Sequence, residues 1–359
     1  MADADRRLSR CAKRGQWQPS WQPRGAMGTE PARQTSILSF VGVQGISKNA
    51  EVVDLFCGIG GFSTGAAMAG HRVVLAVDCN AVLLDAHARN HAGGGCAHVC
   101  AELPLRSEAD LLRLLPRQGT WHLHGSPPCQ TLSTMACARS SRPVEEGFCL
   151  VEWFLGFAQR CGCTTWSMEQ VSNPDVCALL EAKKRAKPLK VDFEVVDAVD
   201  FGVPQHRRRI VAGSPALVGN LRSRRLEPAL RRCVLDVIPD PPAPYLRNSL
   251  YRRPDPTSGE LVDVPLSHKI RSVRRPAYTI MAAGHKRWCD EKGVKVSSFT
   301  PSQAALLQSF PASYLLPRKK TDAMEGVGNA VPPLLAKTLL SQPLAPSAAA
   351  HKKRPLRDA

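Results

Sequence analysis

The sequence holds no apolar run that approaches the roughly 20 residues of a helical membrane span, which excludes a function built on such a span. Its N-terminus has no apolar core of the kind that directs secretion, so no secretory leader is expected. Thirteen cysteines are scattered without a single Cys-x-x-Cys pair. Cys161 and Cys163 form a Cys-x-Cys, and Cys96 and Cys100 have no His or Cys partners at ligand spacing. This argues against a zinc site and for free thiols in a reducing compartment. Acidic residues are in deficit, 31 against 48 Lys and Arg, which leaves a net charge of +17. About half of the imbalance falls in one stretch: residues 203–275 carry 15 Lys or Arg and only 6 Asp or Glu. Such a segment is either a solvated arginine-rich surface or a face for phosphates. There are no internal repeats.

The chain of 359 residues, 43% hydrophobic, suffices for one large core or two smaller ones. Residues 1–48 lack apolar periodicity and read as a disordered basic arm. Strands are predicted over 51–56, 72–78, 97–101, 121–124, 164–169, 190–196 and 209–212. Helices are predicted over 62–68, 81–90, 108–115, 145–160 and 176–186. This alternation implies an α/β fold with a mostly parallel seven-stranded sheet covered on both faces. After Ser214 proline and arginine become dense and helical periodicity fades until about Thr300, so 215–296 reads as a smaller, irregular domain. Thr300 and Pro301 then form a helix start, and 332–340 is a last helix. The tail 341–359 is basic; its Lys352-Lys353-Arg354-Pro355 is either a nuclear signal, in a eukaryotic cell, or merely basic.

The strand over 121–124 runs into Gly125-Ser126-Pro127-Pro128-Cys129-Gln130. Two prolines fix backbone dihedrals and remove two donors, so the strand stops there. Cys129 is then either a small buried hydrophobe or a nucleophile held on a stiff turn at a strand end, where α/β sheets bind ligands. A second turn, Cys57-Gly58-Ile59-Gly60-Gly61, follows the first strand, and glycine there lets backbone approach a ligand closely. Asp78, at the end of the second strand, is placed either to hold ribose hydroxyls or to cap the next helix.

The order of the motifs is more specific than any one of them. It runs Asp54-Leu55-Phe56-Cys57-Gly58-Ile59-Gly60-Gly61, Pro128-Cys129-Gln130, Glu169-Gln170-Val171, Gln205-His206-Arg207-Arg208-Arg209, and Gly328-Asn329-Ala330-Val331-Pro332. The chain resembles the DNA cytosine-5 methyltransferase family over roughly residues 50–340. The resemblance implies a doubly wound catalytic domain, expected over 49–214 and 297–340, and a short target-recognition domain over 215–296. It implies S-adenosyl-L-methionine as cofactor and double-stranded DNA as partner, for a protein expected to work as a monomer away from membranes. Cys129 would add to carbon 6 of a flipped cytosine, which makes carbon 5 nucleophilic. Glu169 would pair with ring N3 and protonate it. Arg209 would contact the base, and Arg207 would position the site and a phosphate. Phe56 would lie on the adenine, Gly58, Gly60 and Gly61 would let the backbone approach, and Asp78 would hold the ribose. Pro128 would lie beside the methionine part, with Asn329 and Val331 closing the pocket.

The sequence departs from the family at several points. Gln170 stands where asparagine is usual, Cys79 stands where an aromatic often follows the ribose acid, and Ser126-Pro127 replaces the commoner Gly-Phe. Three rival readings are distinguishable. A transfer-RNA branch of the family also has Ser-Pro-Pro-Cys-Gln, but its Cys-Phe-Thr signature is missing here. A non-catalytic homologue would bind DNA without methylating it; Cys129, Glu169 and Arg209 argue against it. A nicotinamide-dependent oxidoreductase has only the glycine turn in its favour.

Overall fold

Side chains alternate between the two faces of a strand, and the central strands are buried on both, as in one sheet covered on each side. In the computed structural model, which describes residues 46–105, 107–128, 144–186, 189–248, 252–254, 261–263, 270–282 and 286–341, seven strands form that sheet. They are β1 (Glu51–Leu55), β2 (Arg72–Asp78), β3 (Ala97–Cys100), β4 (Trp121–Gly125), β5 (Thr165–Val171), β6 (Asp192–Asp197) and β7 (Arg208–Gly213). Their spatial order is β3-β2-β1-β4-β5-β7-β6. β7 runs antiparallel to β5 and β6, while the β1, β2, β3, β4 and β5 neighbours pair in parallel. The fold is the doubly wound α/β arrangement expected for S-adenosylmethionine-dependent methyltransferases. The expectations for Cys129, Gln130 and residues 1–45 and 342–359 lie outside the described residues.

One face of the sheet carries Val53, Leu55, Leu123, Met168, Ile210 and Ala212. Helices α3 (Glu108–Leu114), α4 (Val144–Arg160) and α5 (Pro174–Ala186) cover it, through Leu111, Phe154, Phe157, Val176 and Leu180. The opposite face carries Val52, Val73, Val196 and Val211. There α1 (Gly61–Met68), α6 (Pro215–Ser223) and α9 (Pro333–Leu340) supply Phe62, Ala66, Leu217, Leu221, Leu335 and Leu339. Helix α2 (Ala81–His91) follows β2, and Asn80 caps it by accepting from the amides of Val82 and Leu83. Helix α6 stands where no helical periodicity is evident in the sequence, so packing on the sheet continues past Ser214 to Ser223.

A second sheet is small and antiparallel, ordered β11-β8-β12-β13 from β8 (Tyr245–Asn248), β11 (Ile270–Ser272), β12 (Lys286–Cys289) and β13 (Lys295–Ser298). A two-stranded ribbon, β9 (Arg252–Pro254) with β10 (Leu261–Asp263), lies within the same stretch of chain. Trp288 and Leu246 of the small sheet share a core with Ile280, Phe299, Leu307 and Phe310, and with Val327 of α8 (Lys320–Asn329). Helix α7 (Pro301–Leu307) starts as the sequence predicts. Thr300 Oγ1 accepts from the Gln303 amide at 3.1 Å, and Gln303 Oε1 accepts from the Thr300 amide at 3.0 Å.

Candidate active site

The strand order reverses between β1 and β4, so a crevice opens beyond their carboxyl ends, the usual ligand position in open α/β sheets. The glycine turn leaves β1 at that point. Phe56 takes a φ of 60°, a conformation costly for a bulky residue and common at functional turns. Its ring meets Trp153 of α4 edge-on, with centroids 6.1 Å apart. Gly58 has a φ of 53°, and a Cβ built there would meet nothing within 4 Å, so its backbone faces open space. Gly60 and Gly61 instead face protein. A Cβ on Gly60 would run into His87, His91 and Tyr314, and one on Gly61 would lie 2.2 Å from the Val331 carbonyl oxygen.

Asp78 joins the end of β2 to this turn. One carboxylate oxygen accepts from the Gly58 amide at 2.8 Å and the other from the Asn80 amide at 2.8 Å. Asn80 itself caps α2, so the Asp78 carboxylate is not spent as the cap. Burial pushes its pKa up while the backbone donors oppose that shift. Each oxygen keeps acceptor capacity beside the open face of Gly58, which suits a ribose diol. Asp54, just inside β1, is also buried; it accepts from Ser63 Oγ at 2.6 Å, and burial pushes its pKa up to about 7.

The turn after β4 is held on three sides. Gly125 lies against the Phe154 ring, 2.2 Å from where a Cβ would be, so only glycine fits. The Ser126 amide donates to the Leu55 carbonyl at 3.2 Å. The Pro127 carbonyl accepts from Gln170 Nε2 at 3.1 Å, and Gln170 Oε1 accepts from the Val171 amide at 2.8 Å. Gln170, standing where asparagine is usual, therefore reaches this turn. Pro128 is exposed and ends the described segment ahead of Cys129.

Glu169 and Arg209 meet on one face of β5 and β7. Val171 is opposite Arg209 in the ladder, which makes Glu169 its diagonal neighbour. Arg209 Nε lies 2.9 Å from Glu169 Oε1, and both side chains are largely buried. Among the described residues Oε1 accepts no hydrogen bond, so this contact is coulombic and leaves a lone pair for a ligand.

Arg207 is 1% exposed, with its guanidinium on the carbonyls of Ile280 at 3.2 Å and Ala330 at 3.0 Å. It acts as a clamp between chain segments and presents no surface to a phosphate. Gln205 adds to the clamp: it donates to the Leu307 carbonyl and to Gln308, and accepts from the Ile280 amide at 2.8 Å. Gln308 in turn donates to the Ala330 carbonyl at 2.7 Å. This buried hub sets the approach of Asn329 and Val331. Val331 is buried against the glycine turn, and Asn329 is exposed at the end of α8. Sequence reasoning does not find Gln308, because a lone glutamine after a helix carries no signal of its partners Gln205 and Ala330, 103 and 22 residues away.

A family model described as C-5 cytosine-specific DNA methylase matches residues 50–141 and 255–344. The type II methyltransferase M.HindV of Haemophilus influenzae is 30% identical over 312 residues, covering 80% of this chain and 94% of that protein. The type II methyltransferase M1.HphI of Haemophilus parahaemolyticus is 26% identical, with 80% and 84% covered. Among solved structures, an Escherichia coli prophage protein described as a DNA modification methyltransferase superposes with a TM-score of 0.58 at 20% identity, covering 81% of this chain and 97% of that one. At that identity the likeness speaks for the fold alone.

Proposed function

The chain belongs to the C-5 cytosine-specific DNA methylase family, and from that membership we propose how its own residues transfer a methyl group to carbon 5 of cytosine in DNA. It is a DNA cytosine-5 methyltransferase, and the RNA reading is not favoured. The proposed methyl donor is S-adenosyl-L-methionine, which supplies a methyl group activated on a positive sulfonium. Asp78 and the open backbone at Gly58 are assigned to its ribose, and Phe56 to its adenine. Pro128, Gly60, Gly61, Asn329 and Val331 shape the rest of the pocket. Gly60 and Gly61 do so indirectly, by letting side chains and the Val331 backbone close on the turn.

Cys129, one peptide bond beyond Pro128, is the proposed nucleophile. Its thiolate adds to carbon 6 of the cytosine and leaves again once carbon 5 has lost its proton. Glu169 is assigned to ring N3, where it donates a proton as the thiolate adds. Arg209 holds the Glu169 carboxylate and is the candidate contact for the base oxygen. Arg207 acts from below, through the carbonyls it clamps. The target base has to leave the duplex, at a cost of a few kcal/mol. The arginine-rich residues that follow α6, 224–296, are the proposed DNA-facing domain, so binding should weaken with salt. The proposed working form is a monomer.

This reading rests chiefly on the junction at the end of β5, where Gln170 holds Pro127 and Glu169 pairs with Arg209. The test is incubation with labelled S-adenosylmethionine and either duplex DNA or transfer RNA, alongside Cys129→Ser. Label is expected on DNA cytosines and is lost in the variant. Label on RNA alone would overturn the DNA assignment. Bound donor with no transfer to either would identify a non-catalytic homologue.

A further inference from the structure

Two buried histidines on β4 have no part in the chemistry assigned above. His122 and His124 point to the same face of β4, and both are enclosed. In the parallel ladder they lie opposite Thr165 and Ser167 of β5. His122 Nδ1 is 2.9 Å from Thr165 Oγ1, and its Nε2 is 2.9 Å from Ser167 Oγ. His124 Nδ1 is 2.8 Å from the same Ser167 Oγ, and its Nε2 is 2.8 Å from Ser126 Oγ. Phe62 of α1 stacks on His124, with an interplanar angle of 5° and centroids 3.4 Å apart. A row of five polar side chains thus runs along β4 and β5 and ends at Ser126.

Ser126 carries the last polar side chain before the two prolines of the turn. The two following prolines have fixed φ, and a residue before proline is itself restricted. The Ser126 amide is already tied to Leu55. Its side chain is tied as well, to His124, so Ser126 is held at both its amide and its hydroxyl. Burial, with the neighbouring His122, keeps the His124 pKa well below its ordinary value, so the ring is neutral. A neutral imidazole has one N–H and one lone pair, so it bonds two hydroxyls in a defined direction. A fully satisfied buried network of this kind specifies one arrangement, which an apolar filler of equal volume would not do.

We propose that His124 is a positioning residue for methyl transfer: acting through Ser126 Oγ, it fixes the direction in which the chain leaves β4 into Pro127 and Pro128. Gln170 holds the same turn from the other side, by the Pro127 carbonyl. The proposal rests on the reading that this turn delivers the nucleophile.

Ser126→Ala removes the last bond of the row with little change in volume. His124→Phe keeps the stack on Phe62 and removes both bonds. With wild type transferring label and Cys129→Ser inactive, each variant should lower kcat by roughly 10- to 100-fold, the scale expected of a small misplacement of a reacting group. KM for DNA and donor should stay within about twofold, and the double variant should be no slower than His124→Phe, since the two act as one unit. Ser126→Thr keeps the hydroxyl and should recover most of the rate. Wild-type kcat in Ser126→Ala, independent losses in the double variant, or a Tm drop with kcat unchanged would overturn the proposal. If His124→Phe does not fold, the Ser126→Ala and Ser126→Thr pair decides it. A wild-type protein that labels no nucleic acid would overturn the underlying reading, whatever the variants do.

Discussion

The side-chain amide of Gln170 donates to the carbonyl oxygen of Pro127 across 3.1 Å and so ties β5 to the turn that follows β4. The same side chain accepts from the Val171 amide, which locks its orientation. Gln170→Ala strands a buried carbonyl, at a cost of about 1–3 kcal/mol. We expect kcat to fall by roughly tenfold or more, on the same energy scale, with little change in donor affinity. Gln170→Asn is one methylene shorter and should retain more activity than alanine. Initial-rate kinetics with labelled donor check both.

Glu169 and Arg209 form a largely buried pair, and removing one partner leaves the other charge uncompensated. Arg209→Ala should destabilise the fold by about 3–5 kcal/mol at most, reduced by whatever water reaches the site. Glu169→Gln keeps the shape and removes the proton donor, so we expect single-turnover rates to fall by about 10²–10⁴-fold. Donor binding should survive. An unchanged single-turnover rate in Glu169→Gln would remove Glu169 from the chemistry.

Stability should fall as pH drops below about 6.5, the ordinary histidine value. Burial holds His87 down to about 2, His91 to about 4 and His122 to about 3, and lowers His124 as well. The unfolded chain therefore binds protons that the fold refuses, and stability is lost between the unfolded value and these lower ones. Asp54 works in the opposite direction. Its folded pKa of about 7 lies above the unfolded value of about 3.9, so its contribution is present at low pH and is lost as pH rises through that window. Asp54→Asn, whose amide oxygen can still accept from Ser63, should make the acid loss steeper, by up to about 1.4 kcal/mol per pH unit. Urea unfolding at pH 7.5, 6.5 and 5.5 measures the slope of each protein.

Local patterns were legible in the sequence where one strand or one cap decides the outcome. β2 matches its predicted span, 72–78, because a continuous apolar run ends in Asp78 at a turn. Thr300 announces α7, because the cap and the proline are adjacent in the chain. The small sheet was not legible. Its strands are three or four residues long, and its core forms only where Trp288 gathers with residues distant in sequence, Leu83 of α2 and Val327 of α8. The site divides in the same way. The Asp78 carboxylate beside the glycine turn could be anticipated from strand ends. The burial of Arg207 could not, because its partners Ile280 and Ala330 are 73 and 123 residues away. The bond from Gln170 to Pro127 was also hidden, since it depends on β4 and β5 being neighbours.

Two glycines of the first turn should respond oppositely to the same substitution. Gly58 takes a φ of 53° with open space where a Cβ would go, so Gly58→Ala costs about 1 kcal/mol of left-handed strain and places a methyl group on the ligand side. The fold should survive with a modest loss in Tm, while affinity for S-adenosylhomocysteine, used as a non-reactive probe, falls about tenfold, one such methyl clash. Gly61→Ala puts its Cβ 2.2 Å from the Val331 carbonyl oxygen, a backbone atom that cannot swing aside. The contact between the glycine turn and the segment before α9 must open. We expect a loss of about 1–3 kcal/mol or more in stability. Calorimetric titration with the probe and thermal melting of both variants separate the two effects. Equal losses of stability in the two would contradict the assignment of the Gly58 side to the ligand.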